Sequence, residues 1–253
     1  MRAGGVIHKR RLALIGDNPA ARLLAILELG IQQDQNIKCR EIWRKLLNVG
    51  SGEDALLMSR LGKIMELPEQ TIQIIRKDLP NQKDTYRHWS AQVHKAFSEQ
   101  NLNSAWQTFR QHIDPHTLTY LRLTADLIQM KSSTSILTGA NIQELKSKID
   151  ELLTEVLSSE LDSEIKQHIA RYLQKILISI DEYRISGALP IIESVEGAFG
   201  HAFFDESYRH AMATTEIGAK IVSALSALAS AVTVALGAPQ LPQAFQLLIE
   251  RLK

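Results

Sequence analysis

His112-Ile-Asp-Pro-His116 places two imidazoles four residues apart, a spacing that helical zinc sites use. Pro115 stands between them, so they do not share one continuous helical turn, and no third ligand is evident. The segment reads instead as a helix start, Asp114 capping and Pro115 at the first turn, with two surface histidines. Glu193 and Glu196 lie three apart and could face His201, Asp205 or His210. Paired-metal sites in bundles repeat a Glu-x-x-His pair on two helices, and this chain has no Glu-x-x-His. Solvated charges and salt bridges are therefore expected, with no metal and no cofactor. Gly62-Lys63 lacks the upstream glycine of a phosphate-binding loop and the Ser or Thr that should follow. A dinucleotide loop, a nucleophile elbow and a zinc-protease helix are likewise missing from the sequence. No catalytic residue and no small-molecule substrate are identified, and the chain is expected not to be an enzyme.

Two segments could act through surfaces. Met58 to Lys77 has the rhythm of a helix-turn-helix: Leu61, Ile64 and Met65, a break at Leu67-Pro68, then Ile72, Ile74 and Ile75. Its second helix would offer Gln70, Gln73, Arg76 and Lys77 to a nucleic acid, with Lys9, Arg10 and Arg11 as a basic arm. Formal net charge is only +1, from 29 basic and 28 acidic residues, which removes the bulk electrostatic argument for a dedicated nucleic-acid binder. Structural packing is the competing account of the segment, as solvation is of the arm.

The second segment is Ile221 to Ala238, 18 residues with no charge. As a helix it spans about 27 Å, near the lower limit for crossing a bilayer. At about 100° per residue, Ile221, Leu225, Leu228, Val232 and Leu236 form one stripe, continuing from Ile217. Ser223, Ser226, Ser230 and Thr233 form a second stripe well round the helix, with Val234 intruding. Three roles compete: the central helix of a soluble bundle, a sequestered membrane-inserting helix, and a homo-oligomer interface.

These segments need a scaffold, and the apolar spacing is helical nearly everywhere. With 253 residues and 45% hydrophobic composition the chain can bury a core without staples. One cysteine, Cys39, excludes an internal disulfide and a cysteine-based zinc site. The apolar run Leu12 to Ile15 is too short for a secretory signal, so a cytoplasmic home is expected, with membrane association only on activation. The expected fold is all-α. A basic arm (1–17) precedes an N-terminal multi-helix bundle (18–131) that holds Trp43, Trp89 and Trp106 in its core. A polar linker (132–141) leads to a C-terminal region (142–253) with a long helical hairpin, the apolar helix and a short amphipathic end (Phe245, Leu248, Ile249, Leu252). Within the bundle, Pro68 is expected to open a new helix.

Asn18-Pro-Ala-Ala-Arg22, Leu56-Leu-Met-Ser-Arg-Leu-Gly62, His112-Ile-Asp-Pro-His116 and Glu182-Tyr-Arg-Ile-Ser-Gly187 resemble segments of bacterial all-helical proteins with no assigned activity. That resemblance spans most of the chain and implies a bacterial source. By analogy of architecture alone, bacterial proteins ending in an apolar helix include phage-defence effectors and toxins. The expected function is accordingly non-enzymatic: association with a protein partner or with its own copies, in a sharper form as a membrane-disrupting effector. The alternative is a nucleic-acid-binding regulator built on residues 58–77.

Overall fold

The computed structural model describes residues 17–82, 84–132 and 134–237, and among these the protein is all-α, with twelve helices. Lys9, Arg10, Arg11 and the closing segment with Phe245, Leu248, Ile249 and Leu252 lie outside the described residues.

Six helices build the first half. Helix α1 (Pro19–Ile31) starts where Asn18 accepts the Ala21 N–H and Pro19 occupies the first turn. Helix α2 (Cys39–Leu47) ends at Asn48, in the left-handed region at φ 52°. Helices α3 (Asp54–Asp78), α4 (Arg87–Glu99), the single turn α5 (Gln107–Arg110) and α6 (Pro115–Lys131) follow, α6 capped by Asp114. Their shared core includes Trp43, Phe97, Trp106 and Phe109 in one ring cluster, with centroids 4.7–5.9 Å apart. The indole N–H of Trp43 donates to Gln100 and that of Trp106 to the Gly30 carbonyl. Trp89 lies in the same core, so none of the three indoles stands free as a stacking platform.

The structure corrects the expected turn at Leu67-Pro68. Helix α3 runs through Pro68 without interruption. Proline removes one hydrogen bond and normally ends or kinks a helix, at about 3 kcal/mol. Here Leu57, Leu61, Ile64, Pro68, Ile72 and Ile75 keep one apolar phase across it and all are buried. Burial of that continuous stripe outweighs the backbone penalty. There is no helix-turn-helix at residues 58–77.

The second half comprises α7 (Gly139–Ser158), α8 (Ser163–Asp181), the short α9 (Tyr183–Ser186), α10 (Leu189–Phe204), α11 (Glu206–Thr214) and α12 (Glu216–Ala235). Helices α7 and α8 pack extensively along each other, with Ile149, Leu152, Val156, Ile169, Leu173 and Ile176 buried. A second core cluster joins them to α10, α11 and α12. The connection between halves is shorter than 132–141, because α7 already begins at Gly139. Thr138 and Asn141 form a reciprocal capping box that recruits the polar end of that stretch into the helix.

Gly187, at φ 78°, turns the chain from α9 to α10 at a point where a Cβ would meet Asp17 Oδ1 at 2.9 Å and run into the Arg22 guanidinium.

Candidate functional site

Helix α12 is, among the described residues, the one helix long and apolar enough to cross a membrane by length and composition. Thr215 caps it by accepting the Gly218 N–H at 3.0 Å. A Cβ on Gly218 would collide with the Ala211 carbonyl oxygen and the Met212 Cα. That absence of a side chain lets α12 fold back tightly on α11.

The large stripe faces inward. Ile221, Leu225, Leu228 and Val232 are buried within the second core cluster, and Leu236 is partly buried against it. These residues are thus not presented to lipid or to another molecule in this state. The hydroxyl stripe is split. Thr233 is buried and donates to the Ser230 carbonyl at 3.1 Å; Ser226 is half-buried and donates to the Val222 carbonyl at 2.6 Å. Only Ser223 and Ser230 are exposed. At about 100° per residue Ser226 and Thr233 fall on the flank of the helix, which a neighbouring element covers.

The open face runs Ala219, Ser223, Ala227, Ser230, Val234, with Val234 68% exposed. Beyond Lys220 it carries no charge. Helix α7 shows the ordinary arrangement for comparison: its exposed positions include Glu144, Lys148, Asp150, Glu151 and Glu155. The end of α12 is fastened to the connection between halves, where Ser135 donates its N–H to the Ala235 carbonyl at 2.8 Å. That hydrogen bond occupies a carbonyl that a helix end otherwise leaves to water.

Of the candidate nucleic-acid residues, Gln70, Gln73, Arg76 and Lys77 are all exposed on α3. Gln70 and Lys77 line a cleft of about 1000 Å³ between the halves, whereas Arg76 hydrogen-bonds Tyr86 at 3.1 Å and lies over its ring.

The floor of the cleft is a polar junction that reasoning on the sequence missed. Arg22 Nη1 donates to Asp17 Oδ1 at 2.5 Å, and the other carboxylate oxygen accepts the Ala188 N–H at 3.1 Å. Burial lowers the Arg22 pKa from its ordinary value, against the opposing pull of Asp17. Nearby, Glu182 binds both Arg60, at 3.3 Å, and Lys63. Side chains of Glu182 and Arg60 are 4% and 9% exposed. Tyr183 accepts the Leu137 N–H, and burial together with the Asp17 charge pushes its phenol up to about 12. Three of the four quoted sequence stretches, those at residues 18–22, 56–62 and 182–187, meet here. Pairs separated by more than a hundred residues carry no local periodicity, so no signal in the sequence joined them.

Most of the candidate metal ligands lie apart. His112 pairs with Glu99 at 3.1 Å and His88 with Asp114, while Glu193, Glu196 and His210 are exposed and outside any ligand cluster among the described residues. His201 and Asp205 come together with His168 of α8, which sequence reasoning passed over.

Comparison with protein-family models, with curated proteins and with solved structures finds no match to this chain.

Proposed function

We propose that this protein acts by association rather than catalysis, with a second copy of the chain docking on the open face of α12. The observation that supports this reading is the uncharged, small-residue surface from Ser223 to Val234 on a helix whose opposite side is already packed. A soluble helix normally turns charge toward water. A two-fold arrangement sets the same patch against itself, and a patch without charge meets no like-charge repulsion there. Alanine and serine let two backbones approach closely. Sedimentation of the full chain over a concentration series tests it. The wild type forms a dimer, and Ala227→Lys, which adds a charge at an exposed position, is monomeric with unchanged helicity. A wild type that stays monomeric throughout refutes the reading.

The length and composition of α12 support a second reading, a membrane-disrupting effector whose apolar helix is held back until triggered. Its four innermost residues, Ile221, Leu225, Leu228 and Val232, contribute about 6–12 kcal/mol by burial, an upper figure for side chains of this size. That equals the whole stability of a typical domain. Release of α12 is therefore equivalent to unfolding the second half, so insertion requires a trigger of that magnitude. Leakage of dye from anionic vesicles on partial unfolding supports this reading, and intact vesicles under those conditions count against it.

A further inference from the structure

We infer that His168, His201 and Asp205 form a binding site for one divalent transition-metal ion, zinc being the best fit. The inference does not rest on the association reading. Helix α8 supplies His168, the last turn of α10 supplies His201, and Asp205 stands at the corner between α10 and α11. His201 Nε2 lies 3.0 Å from His168 Nδ1, Asp205 Oδ2 lies 3.4 Å from His201 Nε2, and 3.7 Å separates Oδ2 from His168 Nδ1. A tetrahedral ion with ligands at about 2.0–2.1 Å holds them about 3.3 Å apart. The three observed separations straddle that value. The circle through the three atoms has a radius of about 2.0 Å, so an ion slightly above their plane reaches all three at ordinary zinc distances.

The surroundings are built for this. Asp205 caps α11 with its other oxygen, Oδ1 accepting the Tyr208 N–H at 2.9 Å. That bond orients the carboxylate and leaves Oδ2 facing the two imidazoles. Tyr172 and the buried ring of Tyr208 flank the His201 imidazole, with centroids 5.6 and 4.8 Å away. The three ligand side chains are 20–29% exposed, so an ion has access and keeps a fourth position for water. Imidazole nitrogens select zinc, copper, nickel or cobalt over magnesium and calcium, which prefer oxygen. A bound ion would pin α8 to the corner from which α11 and α12 descend.

Titration of the full chain with Zn2+ against a chromogenic chelator tests the site, with Co2+ as a spectroscopic reporter of geometry. One equivalent of Zn2+ binds, the Co2+ form shows the intense visible bands of a four-coordinate centre, and thermal unfolding shifts upward in Zn2+. His168→Gln and Asp205→Asn each weaken Zn2+ binding by about tenfold or more. Asn still caps a helix, so the second variant keeps the fold while removing the charge. His116→Ala leaves binding unchanged. Overturning results are no stoichiometric binding by the folded wild type, or equal affinity in wild type, His168→Gln and Asp205→Asn.

Discussion

Glu182 is a buried carboxylate with two cationic partners. It is buried beneath the cleft, compensated by Arg60 from the same interior and by Lys63, whose side chain is 41% exposed. Arg60 also donates to the Leu47 and Asn48 carbonyls. Glu182→Leu leaves the guanidinium buried without its carboxylate, and it is expected to cost about 3–5 kcal/mol in urea unfolding. Lys63→Met costs far less, because solvent already screens that ammonium. Cys39 is 0% exposed, with burial pushing its thiol up to about 11. It should not react with a thiol reagent at pH 8 in the native chain and should react at once in denaturant. That Cys39 would be a lone thiol was legible from composition. That Glu182 would bridge two halves was not, since its partners lie 122 and 119 residues away in the chain.

At the level of elements, end signals were the legible part. Asn18 before Pro19, Asp114 before Pro115 and Asp162 before Ser163 each open a helix where sequence chemistry places them. Pro68 misled because proline is both a helix starter and a tolerated interior residue, and only tertiary burial decides between them. The Thr138–Asn141 box was hidden in a stretch whose small polar residues resemble a linker. Thr215 and Gly218 were a third blind spot, a break between α11 and α12 inside a run without proline. Gly218→Ala is predicted to destabilise the chain by about 1–3 kcal/mol, since the added methyl meets α11 backbone rather than a side chain that can move. Thr215→Ala should cost about 1 kcal/mol through loss of the cap. Both are read from chemical denaturation midpoints.

For the molecule as a whole, the two core clusters and the polar junction between them define one way of holding α12. Its large side chains complete the second core, its end is bonded to the inter-half connection, and its small side chains remain outside. The amphipathic stripe was legible in the sequence, but which side faces inward depends on neighbours contributed by α7, α10 and α11. Core and surface variants should therefore separate. Leu228→Ala is expected to lose about 2–5 kcal/mol of stability. Ala227→Lys should leave stability nearly unchanged and abolish association. Oxidative cross-linking of variants carrying one added cysteine tests the central claim most directly, because buried Cys39 stays silent. Cysteine at Ala227 or Ser230 is predicted to yield covalent dimers at concentrations where cysteine at Gln174, exposed on α8, yields none. Equal cross-linking at all three positions, or none at Ala227 and Ser230, would contradict association through α12.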